Sequence, residues 1–141
     1  MSRASVLARG RAKAESGMVD TCLIERQGPT STDLDTGVPT ATWTQVYPDP
    51  NEDSGEGWCR LQERGGYPRD ISVAPDQPQL AVNRELQLPV LTSGEVRAGD
   101  RVTITSCVND PAMVGRQMWL RGQPTKSEAT ARRFSLEEIA G

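Results

Sequence analysis

Few side chains in this sequence could carry out covalent chemistry, and their spacing does not assemble a catalytic site. No histidine is present, which excludes Ser-His-Asp and Cys-His catalysis, histidine zinc sites and histidine general-base chemistry. Cys22, Cys59 and Cys107 form no CxxC pair that could chelate a metal, and three thiols cannot all pair as disulfides. We therefore predict buried free thiols in a reducing compartment, and no catalytic residue, metal site or cofactor.

The acidic segments are typical of loops. Residues 33–37, DLDTG, resemble the opening of a calcium-binding loop but lack the third acidic ligand before the glycine and the terminal glutamate. Residues 51–56, NEDSGE, bunch carboxylates among Gly and Ser, as solvated loops do. No glycine-rich segment matches a phosphate-binding loop. The sequence thus favours a protein that is not an enzyme.

The composition predicts a single domain, residues 1–141, with a thin core. Leu, Ile, Val and Phe number 26 of the 141 residues, just below the roughly 20% under which a chain struggles to offset the entropy of ordering its backbone. The net charge of only −3 does not hold the chain open by self-repulsion. We expect a folded domain that relies on neighbouring copies to complete it.

The distribution of charged and apolar residues limits the possible partners. No stretch approaches the ~18 consecutive apolar residues that span a bilayer, and charges stand where a secretory peptide would be apolar. We expect a soluble, unexported protein without a membrane partner. All basic residues except Lys13 and Lys126 are arginine. This suits phosphate contact, but a high-GC genome produces the same bias, so a nucleic-acid interface stays open as an alternative.

Residues 2–18 are predicted to form the one helix. Ser2 can cap the first turn, and Gly17 can end the helix in the left-handed conformation, which glycine adopts without steric cost. The segment has four basic residues and one acidic residue, so its surface is basic. Its apolar side chains fall along one stripe, formed by Leu7, Ala14 and Met18.

After the helix, frequent Thr, Val and Ile and an alternation of polar and apolar residues predict strands. The candidate strands are Thr21–Arg26, Ala41–Tyr47, Trp58–Gln62, Leu80–Leu91, Arg101–Cys107, Gln117–Arg121 and Ala131–Glu137. Because no crossover helices are available to join parallel strands, we predict a mainly β fold. This would be a small antiparallel β-barrel over residues 20–138 with an N-terminal α-helix and long loops. Pro89 would place the fourth strand at an edge or bend it.

Two segments are predicted to be long loops. Residues 27–40 are dense in Gly, Pro, Asp and Thr and would form the loop of an extended hairpin. Residues 63–79 have three prolines, a Gly-Gly pair that could act as a hinge, and few apolar groups. A connection of this length is unusual inside a compact domain and is often functional. Tyr67 and Ile71 could anchor this second loop on a partner.

The order of the segments carries a resemblance to a known family. The segments are SVLARGRAKAES, DTC, TDLDTG running into TWTQVY, WCRLQ, LQLPV, VRAGDRVTIT, NDPAMVGRQMWL and ARRFSLEEI. They resemble the head-closure, or head-to-tail stopper, proteins in the necks of long-tailed bacteriophages, particularly those that infect actinobacteria. The resemblance covers nearly the whole chain, and its most specific part is Asn109–Met118.

The resemblance implies a structural virion protein, assembled in the host cytoplasm and located in the neck. Identical copies would form a ring, expected to be a hexamer, between the portal–adaptor ring above and the tail terminator or tail tube below. Double-stranded DNA would pass through the lumen without sequence recognition. The family's channel-gating loop maps onto residues 63–79, within which the candidate gating residues are Arg64, Gly65, Gly66, Tyr67, Arg69, Asp70 and Ile71. This loop is slightly acidic overall, so it would block DNA by steric exclusion or repulsion.

The basic helix is the second predicted contact, either with the ring above or with an adjacent copy. Its candidate contact residues are Arg3, Leu7, Arg9 and Arg11. Two alternatives stay open at this point. The same architecture could serve as an adaptor or tail-terminator ring, or the chain could be a small nucleic-acid-binding β-barrel.

Overall fold

The structure is a computed structural model that describes residues 2–51, 56–64, 83–122 and 126–139. A single α-helix, a short 3-10 turn and seven strands follow one another along the chain. The helix is α1 (Arg3–Ser16), and the turn is Pro111–Met113. The strands are β1 (Asp20–Thr32), β2 (Pro39–Tyr47), β3 (Trp58–Arg64), β4 (Asn83–Leu88), β5 (Arg101–Ser106), β6 (Gln117–Arg121) and β7 (Arg132–Glu138).

The strands form a closed barrel of six antiparallel strands, which confirms the predicted fold class. The strands follow one another around the barrel as β1, β3, β4, β7, β6 and β5. The barrel is closed by β1, which pairs with one strand on each side. Residues Thr21–Glu25 pair with β5, and Asp20 and Thr21 pair with β3 on the opposite side. The expectation that neighbouring copies complete open barrel edges is therefore wrong, because the chain supplies both partners of every barrel strand itself.

The barrel interior follows the predicted alternation of polar and apolar residues. In β5, Val102 and Ile104 are fully buried whereas Thr105 is exposed, because successive side chains of a strand point to opposite faces. Each of the six barrel strands contributes to this core. The largest side chains with almost no exposed surface are Phe134, Ile24, Leu86, Leu88, Ile104, Met118 and Leu120.

The fourth strand ends earlier than the sequence predicts, and its predicted start at Leu80 lies outside the described residues. Its described part begins at Asn83 and ends at Leu88, just before Pro89, whose missing N–H cannot continue the ladder. Leu86 and Leu88 are buried on the predicted face. The strand is nevertheless not an edge strand, because it lies between β3 and β7 in the barrel. The proline thus ends a central strand.

The predicted hairpin loop of residues 27–40 is wrong in extent, because β1 and β2 continue through most of it. Only residues 33–38 form the turn. The register shifts between Gln27 and Thr30, so one extra residue is accommodated in β1 as a β-bulge around Gly28-Pro29. The threonines on both sides favour extended backbone, and the ladder therefore resumes beyond the glycine and proline.

The helix begins as predicted and ends differently. The Ser2 Oγ accepts a hydrogen bond from the Ser5 backbone N–H at 3.2 Å, which confirms Ser2 as the N-cap. Gly17 ends the helix with φ −86°, so the expected left-handed conformation is wrong. A right-handed residue suffices here because the Gly17 N–H bonds within the last turn, to the Ala14 carbonyl at 3.2 Å. No residue of α1 is fully buried, although Met18 just beyond it is.

The segment that carries the most specific part of the resemblance is a strand–turn–strand connection. The Asp110 Oδ1 accepts a hydrogen bond from the Ala112 N–H at 3.1 Å and so caps the 3-10 turn. Gly115 has φ +88°, a conformation that other residues adopt at a steric cost. Its N–H bonds to the Ile104 carbonyl at 2.7 Å. These contacts return the chain from β5 into β6.

Candidate assembly surfaces

A two-stranded arm extends beyond the barrel. We call residues 27–44 the hairpin arm. Here β1 has passed the end of its pairing with β5, and among the described residues β2 pairs with β1 alone. The arm therefore has two open edges, and its length of about six residues per strand plus the turn gives a reach of roughly 20 Å. Residues 31–40 are all exposed.

The turn at the end of the arm is both acidic and apolar. We call residues 33–38 the arm tip. Asp33 and Asp35 are the only charged residues of the arm, and Leu34 and Val38 are 98% and 57% exposed. The Asp33 side chain stabilises the turn, since its Oδ1 accepts a hydrogen bond from the Asp35 N–H at 3.0 Å. Apolar side chains this exposed mark a surface suited to contact with another molecule.

A group of four side chains attaches the arm to the barrel. We call Trp43, Trp119, Arg101 and Glu25 the arm-base cluster. The two tryptophan rings are stacked with centroids 6.2 Å apart, and the Arg101 guanidinium carbon lies 3.6 Å from the Trp43 ring centroid. The Arg101 Nη2 donates to the Glu25 Oε1 at 3.1 Å. Arg101 Nε is buried without a hydrogen-bond partner, and its contact with the electron-rich ring face accounts for its placement there.

The predicted contact residues of the helix divide between two of its faces. Leu7 and Arg11 are half-buried, and the Arg11 Nε donates to the Ala129 carbonyl at 3.1 Å. Arg3 is exposed and forms an ion pair with Glu128 at 2.8 Å. Arg9 is exposed. Two of the four residues, Arg3 and Arg11, therefore hold the helix on the segment before β7.

The opposite side of the helix is an exposed basic surface. Val6, Arg9 and Lys13, which we call the outer face of α1, follow one another at spacings of three and four residues, so they share one side of the helix. All three are exposed, and Val6 is 56% exposed. On the other side of the helix, Lys126 and Arg132 line a small depression together with Arg11 and form a second, separate basic region. The sequence analysis missed these two residues, because they are distant from the helix along the chain.

A cavity of about 380 Å³ lies between the end of α1, the end of β2, the start of β3 and the residues after β4. Its walls are mostly apolar or aromatic, and three carboxylates stand among them. The lining residues are Glu15, Met18, Tyr47, Pro48, Asp49, Glu56, Gly57, Trp58, Pro89, Leu91 and Thr92. Four separate segments build this cavity, and no local pattern in the sequence indicated it.

Two of the three thiols are held in the interior. Cys22 and Cys59 are buried free thiols, as predicted, and Cys107 is half-buried. A hydrogen bond with Cys59, together with burial, raises the pKa of the Cys22 thiol well above its ordinary value. Burial also raises the pKa of Tyr47, whose hydroxyl donates to the Trp58 carbonyl at 2.6 Å. Both groups therefore stay protonated at neutral pH.

The predicted gating loop falls mostly outside the described residues. The predicted start of this loop at residue 63 is wrong, because Glu63 and Arg64 belong to β3, where Arg64 is the last residue and pairs with Asn83, the first described residue of β4. Gly65, Gly66, Tyr67, Arg69, Asp70 and Ile71 all lie outside the described residues. The topology still fixes where the loop begins. Since β1 and β3 are antiparallel, β3 ends at the opposite end of the barrel from the hairpin arm.

Within the described ranges, the structure has neither a metal-ligand cluster nor a membrane-spanning helix. No three His, Cys, Asp or Glu side chains within them converge as metal ligands would. None of the described helices has the length and apolar character needed to cross a membrane.

Comparison with known proteins identifies one family. Residues 10–137 match DUF6093, described as a family of unknown function. No curated protein and no solved structure matches the chain.

Proposed function

The chain belongs to the family of unknown function DUF6093, and we propose that it is a structural protein of the bacteriophage neck. Copies of the chain would form a ring, expected to be a hexamer, between the portal–adaptor ring and the tail. The ring would retain the packaged DNA and provide the surface on which the tail docks. The protein would act through its shape and its contacts, without a catalytic residue or a cofactor.

The hairpin arm is the observation that carries this proposal. A hairpin that projects from a barrel with both edges open is only marginally stable in water by itself, and open strand edges favour pairing with other chains. Residues 31–40 have no side chain buried against the rest of the described molecule. The arm is therefore built as a contact surface, which a ring component requires and a self-sufficient monomer does not.

The topology supports the proposed gating role of residues 63–79. The arm leaves one end of the barrel, and Arg64 and Asn83, which flank the loop, meet at the other end. The arm and the two strands that border residues 65–82 therefore lie at opposite ends of the barrel, so the contact between copies and the proposed gate would be made by different ends. Replacing residues 66–76 with a Gly-Ser linker of equal length should leave heads that bind the protein but leak DNA. DNA retention equal to that of unaltered particles would contradict the gating role.

Binding to purified particles tests the neck function itself. The experiment mixes the purified chain with DNA-filled heads that carry the portal–adaptor complex, and separately with isolated tails. A head-closure protein should bind the heads and then make them competent to join tails. Binding to heads without later tail joining would favour an adaptor, and binding to tails alone would favour a tail terminator. Binding to neither would refute the neck function.

A duplex-binding assay separates the remaining alternative from the neck function. A nucleic-acid-binding barrel should bind DNA tightly at low salt and lose affinity steeply as the salt concentration rises. The stacked rings of Trp43 and Trp119 are already engaged with each other and with Arg101. We therefore expect at most weak, nonspecific binding. Tight salt-sensitive binding, together with no binding to heads or tails, would replace the proposed function with this alternative.

A further inference from the structure

We propose that the arm tip of one copy docks on the outer face of α1 of the next copy, in a head-to-tail contact that repeats around the ring. This inference rests on the proposed function for its place in the virion and names the partner of the hairpin arm. The occupant of the contact is a second copy of the same chain. The proposal stands on the exposure of the arm tip, on complementary charge and on the position of the two surfaces in the barrel.

Within the described part of the chain, no side chain of the arm tip is buried against the barrel. Leu34 is 98% exposed, and the hydrogen bonds of the turn stay within residues 33–38. The arm-base cluster holds only the other end of the arm. A surface that presents Leu34 and Val38 to solvent at the end of a roughly 20 Å projection is placed to reach another molecule.

The two surfaces match in charge and in apolar character. The arm tip carries Asp33 and Asp35 and no basic residue. The outer face of α1 carries Arg9 and Lys13 beside an exposed Val6. Opposite charges around apolar contacts speed association and select the correct partner. Two tips brought together, or two helices, would instead place like charges against each other, which disfavours a symmetric pairing of identical surfaces.

The barrel topology places the two surfaces for a ring contact. The arm emerges where β1 ends, which is the end at which the antiparallel β7 begins. Arg3 and Arg11 attach the N-terminal part of α1 to Glu128 and Ala129, just before β7, so this part of the helix lies at the same end of the barrel as the arm. Around the barrel, two strands separate β7 from β1 in either direction, so the surfaces face opposite sides. Contacts between different surfaces on opposite sides close into rings when the rotation permits.

Covalent capture of neighbouring copies tests this contact directly. Leu34→Cys and Val6→Cys are introduced together in a Cys107→Ser background, and a short bismaleimide cross-linker is added at high protein concentration. Head-to-tail docking should give a ladder of covalent oligomers that ends at the ring number. Each variant with only one of the two new cysteines is the control and should stop at dimers.

Charge reversal then tests specificity. Asp33→Lys with Asp35→Lys should weaken the association at least about tenfold, and Arg9→Glu with Lys13→Glu should do the same. Combining all four substitutions in one chain should restore most of the ladder, because the charge pairs are re-formed with reversed sign. Circular dichroism confirms that each variant keeps the fold, since all four positions are exposed.

The outcomes separate this inference from the proposed function. No ladder at the highest concentration, or a ladder that charge reversal leaves unchanged, would overturn the docking contact. If the unaltered chain still binds heads and makes them competent to join tails, the neck function stands without this contact. A charge-dependent ladder in a chain that binds neither heads nor tails would support the contact and refute the neck function.

Discussion

Replacing Trp43 with alanine should loosen the hairpin arm and measurably destabilise the protein. Trp43 is half-buried at the arm base, stacked on Trp119 and covered by the Arg101 guanidinium. Its ring contacts Arg101 of β5 and Trp119 of β6 and so links β2 to both strands. Without the ring, the arm keeps its ladder with β1 but loses these two side-chain contacts.

The size of the effect follows from the contacts that are lost. A cation–π contact contributes about 0.5–2 kcal/mol, depending on exposure. A stacked aromatic pair adds about 0.5–1.5 kcal/mol beyond the burial of its area. Because the Trp43 ring is only half-buried, we expect Trp43→Ala to lower the free energy of unfolding by roughly 2–4 kcal/mol. Trp43→Phe keeps a stacked ring and should lose less than half as much.

Urea unfolding followed by far-ultraviolet circular dichroism measures this loss without depending on tryptophan fluorescence. Thr42→Ala is the matched control, because Thr42 is the exposed neighbour of Trp43 in the same strand, and it should change stability by under about 0.5 kcal/mol. A double-mutant cycle with Trp119→Ala should give a coupling energy of about 0.5–1.5 kcal/mol. A loss no larger than that of the control, or a coupling of zero, would refute the assigned role of the arm-base cluster.

Three further predictions concern the barrel itself. Gly57→Ala should lower the free energy of unfolding by roughly 3 kcal/mol, and Gly37→Ala should lower it by only about 1 kcal/mol. Both glycines have similar positive φ, but only at Gly57 would the new Cβ collide with a backbone carbonyl. Equal urea midpoints for the two variants would contradict this. Asp100→Asn should lower the free energy of unfolding by about 2 kcal/mol. The buried carboxylate accepts hydrogen bonds from the Arg26 side chain at 2.9 and 3.1 Å and from the Arg97 backbone N–H at 2.9 Å. An unchanged melting temperature would contradict this prediction. The free energy of unfolding should fall as the pH rises above about 9, because the pKa values of Cys22 and Tyr47 are raised in the folded protein and the unfolded chain therefore releases these protons first. The expected slope is up to about 1.4 kcal/mol per pH unit for each group. Urea midpoints that stay constant from pH 8 to 11 would contradict this.

The barrel strands could be predicted because their sequence alternation carries the burial pattern. In β5, two apolar side chains alternate with threonines, and the structure buries Val102 and Ile104. In β6, Met118 and Leu120 repeat this pattern. The predicted limits of β6, Gln117–Arg121, agree with the structure to the residue. Local alternation is sufficient here because one face of each strand lines a single core.

The extent of the hairpin arm could not be read from the same rules. Gly28 and Pro29 are typical of a loop, and no alternating burial identifies the part of β1 from Gln27 to Thr32, where every residue except Gly28 is exposed. What extends the ladder to Thr32 is the pairing of β1 with β2, a tertiary contact that resumes after the bulge. Propensity describes each residue separately and cannot include a partner strand that lies about ten residues further along the chain.

The cavity, and the basic depression lined by Arg11, Lys126 and Arg132, could not be predicted for a related reason. Lys126 and Arg11 are far apart in the sequence and become neighbours only because α1 lies on the segment before β7. Glu15, Asp49 and Glu56 likewise meet around the cavity from three separate segments. Surfaces of this kind depend on how elements pack. The charge of the helix and its apolar stripe of Leu7, Ala14 and Met18 were visible in the sequence, but the partners of its arginines were not.

Because the barrel is closed within one chain, the residues that stabilise the fold differ from those offered for contact with other copies. One copy already buries Ile24, Val102 and Phe134 completely, so the fold does not require a neighbour, and the open edges are confined to the arm. The bulge and Pro29 and Pro39 interrupt those edges, which limits indiscriminate strand pairing. Selection of the partner then falls to the charged arm tip. Because exposed charges are screened within about 10 Å at 0.1 M salt, ring contacts made in this way should weaken steeply with ionic strength while the barrel stays folded.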